Sequence, residues 1–323
     1  MSGKAEEQEE NVEETMDTST ETVMTEEPNF EKIESNLRRS SSDSLEIGNP
    51  LYDMYLNKRE EIHRFLQEDS SGQGYVLAEN VLGEDYVQFM HAFRGKRNLH
   101  AWLKKDSLIV YEVCSNVHSS VGKMLDHYIS YDYNEQFNTT KYGAEHTQSN
   151  SGPIRALSNL LMSLPHGAAR IPDGAYSLQT SSSIHPNVVV EVGCQESLNQ
   201  LHYVAMEYYL HIHNTQYVIV IKIDTKAYPM SMLAVLYHKV ASDNLQVALV
   251  NFGEGELSSS VVAEIQAIPE LSNLPIQPNS EFYVPIECFL LHKQSVDRSL
   301  HRDIRVDLLA IQREVLEARQ AEE

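Results

Sequence analysis

The chain has 323 residues, 47 acidic against 25 basic side chains, and a formal charge of −22. That length leaves room for about two domains of roughly 150 residues each and for one sizeable core. The charge excludes a protein that coats nucleic acid non-specifically, because such binding runs on Lys, Arg and counterion release, but it leaves room for a small basic cleft on an acidic body.

Residues 1–48 carry 14 Asp or Glu against Lys4, Lys32, Arg38 and Arg39, which leaves −12 for the remainder. They are rich in Glu, Ser and Thr and hold few large apolar residues, so they are expected to form a disordered acidic tail. Within it, Arg38-Arg39-Ser40-Ser41-Ser42-Asp43-Ser44 sets serines between arginines and acids, a sequence that suits phosphorylation. The tail is a candidate contact for a protein partner. Cys114, Cys194 and Cys288 are too few and too scattered for a disulfide framework, which favours a reducing compartment. The start lacks the apolar core of a signal peptide, and no apolar run approaches the ~20 residues of a membrane helix. The expectation is an intracellular protein, cytoplasmic or nuclear, with no membrane partner.

From Pro50, the spacing of Leu51, Met54, Tyr55, Ile62 and Phe65 predicts an amphipathic helix ending near Asp69. Residues 74–105 alternate less clearly, with a helix expected around 86–93, so residues 49–106 read as an N-terminal helical segment. The β-branched run at 107–113 predicts a strand. Ser115 or Asn116 can cap the helix that follows, with Val117, Val121, Met124 and Tyr128 at helical spacing. Residues 131–152 are polar and read as a long loop, and 154–164 fit helix or strand equally. The run at 187–192 is apolar except for Glu191, the pattern of a central strand buried on both faces. Leu198, Leu201, Ala205 and Tyr208 mark a helix expected to reach His213, with Asn214 in the left-handed position after it. A second buried strand is expected at 216–223. Strand, helix and strand over this length is a right-handed crossover joining parallel strands. Further strands are expected at 233–237, 245–250, 282–284 and 304–308, and a final helix to about Arg319. The fold class is α/β, a mixed sheet flanked by helices.

A carboxylate inside an apolar strand is the chemical anomaly. Burying Glu191 charged and alone would cost several kcal/mol, so it must meet a partner, a metal or the open end of the sheet. Asp173 stands upstream with 17 residues between the two, where the preceding strand begins. Two converging carboxylates repel unless a cation lies between them, and hard oxygen ligands suit Mg²⁺. Pro-Asp-Gly is equally a common turn sequence, and that remains the plain alternative for Asp173.

The segments PDGAY from Pro172, PNVVVEVG from Pro186 and YVIVIKID from Tyr217, with VYEVCSNVH over 110–118, together resemble the PD-(D/E)XK, restriction-endonuclease-like superfamily. The likeness is strongest to the restriction-endonuclease-like families of bacteria and fungi, and it spans residues 107–316, with 317–323 as a short tail. It implies a restriction-endonuclease-like mixed sheet, and a Mg²⁺-dependent nuclease acting on phosphodiesters of DNA or RNA. Asp173 and Glu191 would hold the metal. The superfamily pattern places a Lys two residues after the Glu, where this chain has Gly193. Lys222 on the next strand is the nearest substitute as third catalytic residue, and Lys123 on the first helix is another; the plain alternative for Lys222 is an ordinary strand-end lysine with its stem packed and its ammonium in solvent. Glu112 and His118 match the opening motif and are peripheral site candidates. His211 and His213 have the spacing of a metal pair but lie at a helix end, where they suit the dipole. Cys194 lacks a His placed by sequence to activate it. The alternative function is a catalytically degenerate nuclease fold serving as a binding or regulatory module.

Overall fold

Two sheets meet across a shared core, and their seam carries the candidate site. The computed structural model describes residues 49–68, 74–92, 100–104, 106–112, 115–134, 154–157, 160–164, 168–178, 185–241, 244–289 and 303–321. The acidic tail with its serines, Cys114 and most of the polar loop at 131–152 lie outside the described residues.

The N-terminal segment expected to be helical holds α1 (Pro50–Glu68) and α2 (Gly83–Ala92), and also two strands, β1 (Tyr75–Ala78) and β2 (His100–Lys104). These strands join β3 (Ser107–Glu112), β5 (Met162–Leu164) and β6 (Ala168–Arg170) in an antiparallel sheet of order β1-β3-β2-β6-β5. One face of this sheet, with Ala101, Leu103, Leu108 and Val110, packs on Tyr55, Ile62, Tyr86 and Phe89 of the two helices. The strand at 107–112 therefore belongs to a different sheet from Glu191.

The larger sheet has the order β12-β11-β10-β9-β8-β7-β4. It comprises β4 (Ile154–Ala156), β7 (Gly174–Leu178), β8 (Val188–Gly193), β9 (Tyr217–Asp224), β10 (Ser231–Ala241), β11 (Asn244–Asn251) and β12 (Ile276–Pro278). Strands β8 and β9 are parallel and joined by α4 (Leu198–Glu207), as the crossover pattern leads one to expect; β11 and β12 are also parallel, and the other pairs are antiparallel. Of the ambiguous residues 154–164, Ile154–Ala156 and Met162–Leu164 form short strands, one in each sheet.

One face of this sheet, with Val188, Val190, Val192, Ile219 and Ile221, packs on Val117, Val121 and Leu125 of α3 (Asn116–Asp126) and on Ile311 and Val315 of α7 (Leu308–Gln320). A π-helical turn at His127–Asp132 prolongs α3, because Ile129 and Tyr133 bury against the same face. Where a loop was expected, the chain thus stays helical through 134. The hairpin of β13 (Glu281–Val284) and β14 (Ile304–Asp307) also sits on this face. The opposite face, with Val189, Val218, Val220 and Val235, packs on α4, on α5 (Ser259–Ala267) and the short α6 (Pro269–Ser272), and on Trp102 and Tyr111 of the smaller sheet.

Helix α4 stops at Glu207, earlier than expected, and a 3-10 turn follows at Tyr209–His211. Among the described residues the one non-glycine with positive φ is Asn80, so Asn214 is not left-handed. The tighter turn swings Tyr209 inward onto Glu191 instead of continuing the helix. Among the described residues, no helix is long and apolar enough to cross a membrane.

Candidate functional site

Asp173 precedes β7 at the seam. Its Oδ2 accepts the Val192 backbone N–H of the neighbouring strand at 2.7 Å. Its Oδ1 is 2.8 Å from Nε2 of His100, on β2 of the smaller sheet, and 2.8 Å from Nε2 of His118, in the first turn of α3. Ser115 caps α3 by accepting the His118 backbone N–H, which fixes where that imidazole starts. The two rings meet edge to face with centroids 4.5 Å apart. One ligating atom from each of His100, His118 and Asp173 lies within 4.8 Å of the other two, close enough for one ion to take all three. The Asp173 side chain is 11% exposed and the imidazoles less, so the cluster is largely withdrawn from solvent.

A second, fully buried network adjoins it. Arg170, at the end of β6, bonds Glu191 through Nε and Nη2 at 3.2 and 2.9 Å, and Glu196 through Nη1 and Nη2 at 2.8 and 2.9 Å. Tyr209 donates its hydroxyl to Glu191. Glu191 therefore does find a partner, and its partner is a cation of the facing sheet: one guanidinium fork closes the seam. Glu196 Oε2 lies 3.8 Å from Nδ1 of His100, which links the two networks.

Burial opposes ionisation at every one of these carboxyls. At Asp173 the two imidazoles override it, holding the group well below the ordinary carboxylate value. At Glu196 the Arg170 charge and hydrogen bonds, with His100, lower it to about 2. At Glu191 burial wins, and with Asp173 nearby it lifts the group above its ordinary value despite Arg170. A carboxyl lowered on folding contributes stability above its unfolded value, 3.8 for Asp173 and 4.5 for Glu196, and that contribution is lost as pH falls toward the folded value. Two lowered groups outweigh one raised group running the other way. The urea midpoint is therefore expected to hold from pH 7 to about 5 and to drop between pH 4.5 and 2; a midpoint unchanged at pH 3 would contradict this.

Gly193, at the position where the superfamily that the chain resembles carries a lysine, also has a physical account. A Cβ on Gly193 would meet Leu201 Cδ1 at 2.7 Å and Glu196 Cβ at 3.3 Å, so α4 and the turn after β8 occupy the space a side chain there would need. Gly193→Lys, which restores the superfamily pattern, is expected to cost about 1–3 kcal/mol by overpacking. Thermal melts check it; an unchanged melting temperature would show that the space opens readily. Lys222 pairs with Gly193 across the parallel β8–β9 register, beside the position the pattern wants. Its ammonium, however, donates to the Cys194 and Glu196 carbonyls at 3.2 and 2.6 Å, bracing the 194–196 turn.

Of the three residues singled out by the superfamily pattern, the structure sets Asp173 among imidazoles, Glu191 on Arg170 and Lys222 on backbone carbonyls. His118 joins Asp173; the Glu112 side chain lies outside the described residues. Lys123 is exposed in the last turn of α3. His211 is exposed and bonds the Met206 carbonyl through Nδ1 at 2.9 Å, the helix-end role its position suggested. His100, Arg170, Glu196 and Tyr209 were not singled out by sequence. Arg170 alone leaves a local signal, a charge inside the short apolar stretch Ala168-Ala169-Arg170-Ile171 just before Pro172-Asp173. No protein-family model and no curated protein matches the chain.

Proposed function

We propose that residues 107–316 form a restriction-endonuclease-like domain that hydrolyses phosphodiester bonds of DNA or RNA with a divalent ion held at Asp173. The observation that carries this reading is the position of Asp173: at the start of β7, hydrogen-bonded to β8 beside Glu191, with two imidazoles on one carboxylate oxygen. The order of elements supports it: helix α3, the antiparallel β4–β7 pair, β8 with its buried Glu191, the crossover α4, then parallel β9.

A bound ion would supply a water of lowered pKa and polarise a phosphoryl oxygen. The chain's own groups divide the remaining work. Asp173, His100 and His118 would hold the ion. Glu191 and Arg170 fix β8 against the smaller sheet and so position Asp173 through the Val192 N–H. Lys222 keeps the 194–196 turn, and with it Glu196, in place. The nuclease site in this reading is intracellular, and the acidic tail, with its kinase-type serines, would serve protein contacts.

A second reading, a binding module without catalysis, draws on the engagement of Glu191 and Lys222 by the protein itself. The two separate in one assay: single- and double-stranded DNA and RNA incubated with metal-stripped protein plus Mg²⁺, Mn²⁺ or Zn²⁺, for the wild type and Asp173→Ala. Ion-dependent cleavage that the variant loses is the expected result. Binding without cleavage under every ion would leave the module.

A further inference from the structure

We infer that His100, His118 and Asp173 form a three-ligand site for an imidazole-preferring divalent ion of the zinc type, with Glu196 as the carboxylate that orients His100. The inference rests on Asp173 as the metal-holding carboxylate and names the ion it would hold.

The donor set is the first argument. Mg²⁺ takes oxygen ligands and keeps its waters, whereas imidazole nitrogen suits Zn²⁺, Fe²⁺, Ni²⁺ and Cu²⁺. The second carboxylate that would make an oxygen-rich site is Glu191, and its oxygens are taken by Arg170 and Tyr209. What faces Asp173 is two Nε2 atoms. Three protein ligands with a position left for water is the composition of catalytic zinc centres.

The second argument is the outer arrangement. A metal-bound histidine almost always gives its other ring N–H to a carboxylate or carbonyl, which fixes the tautomer and raises ligand basicity. His100 turns Nε2 to Asp173 and its buried Nδ1 toward Glu196 Oε2, at 3.8 Å beyond hydrogen-bond length, so the pair would have to close by about 1 Å for the carboxylate to take the ring proton; Arg170 clamps that carboxylate with two hydrogen bonds. On binding, each Nε2 exchanges its contact with Asp173 for a bond to the ion and the ring proton resides on Nδ1, which in His100 faces a carboxylate. The ligands come from β2, α3 and the start of β7, so the ion would fasten the two sheets together at the point where Arg170 already does.

The test is a calorimetric titration of the metal-stripped full chain with Zn²⁺ and, separately, with Mg²⁺, without nucleic acid. One Zn²⁺ per chain is expected, with no Mg²⁺ heat at the same concentrations. Asp173→Ala and His118→Gln are expected to lose the site; the four Arg170 hydrogen bonds run to Glu191 and Glu196, so His118→Gln tests the ligand set with that buried ion network left in place. Glu196→Gln is expected to keep one site and weaken it about 10–100-fold. Equal affinity for Mg²⁺, no Zn²⁺ bound, or unaltered Zn²⁺ binding in His118→Gln would overturn the site, and Glu196→Gln binding like the wild type would overturn the role of Glu196. Failure here is distinct from failure of the nuclease reading: a chain that binds Zn²⁺ and cleaves nothing refutes only the latter, and one that cleaves with Mg²⁺ and ignores Zn²⁺ refutes only the former.

Discussion

Arg170→Ala is expected to destabilise the chain by about 3–5 kcal/mol, the cost of stranding buried charge when one partner of a buried ion pair is removed. The guanidinium makes four hydrogen bonds to two carboxylates, and all three side chains are at most 2% exposed. Burial alone would push the guanidinium toward neutrality, and Glu191 and Glu196 instead hold its pKa well above the ordinary value. Without it, Glu191 keeps the Tyr209 hydroxyl and Glu196 keeps His100 Nδ1 at 3.8 Å, neither of which replaces a bidentate guanidinium. Arg170→Lys keeps the charge but loses the planar fork that serves both carboxylates at once, so its loss should be intermediate. Urea denaturation followed by the fluorescence of Trp102, the chain's one tryptophan, reads both variants. A loss below about 1 kcal/mol for Arg170→Ala would place the network with exposed ion pairs, which contribute little.

Trp102→Ala should cost as much, about 3–5 kcal/mol, through a cavity at the same seam. The indole is fully buried, meets Tyr111 and Tyr208 edge to face with centroids 5.4 and 5.5 Å away, and carries the Arg170 guanidinium over its ring at 5.5 Å. Cation–π contact with a desolvated guanidinium adds to the area term. Its Nε1 is buried with no hydrogen-bond partner, so Trp102→Phe sacrifices volume but no hydrogen bond. The phenylalanine variant is expected to retain more than half of what alanine loses, read by far-UV circular dichroism in urea because the fluorophore is gone. Equal losses for the two would mean that the indole is held by something other than ring packing.

These effects lie at contacts that the sequence could suggest only in part. Local patterns were sufficient for β8, β9 and the presence of a helix between them, because strands buried on both faces are written as apolar runs, here interrupted by Glu191 and Lys222. The capped start of α3 was legible for the same reason: Ser115 followed by apolar residues at helical spacing is a local signal. Asp173 and Glu191 stood out as charges at the edge and in the middle of apolar strands, and the structure places both at the seam. Their partners did not stand out. His100 lies 73 residues from Asp173 in a segment of weak alternation, and Arg170 and Glu191 come from different sheets. A cation across a sheet interface leaves no periodicity in either strand. The charge of −22 likewise hid the local balance, in which Arg170 and two imidazoles stand among three buried carboxylates.

X-ray absorption at the zinc edge on the Zn²⁺-loaded wild-type chain tests the central claim most directly, because it counts ligand atoms around the ion. The expected first shell contains two imidazole nitrogens at roughly 2.0–2.1 Å and a carboxylate oxygen at roughly 2.0–2.2 Å, with the outer-ring scattering of two histidines. A shell of oxygens alone, or one containing sulfur at about 2.3 Å, would contradict a centre built on His100, His118 and Asp173.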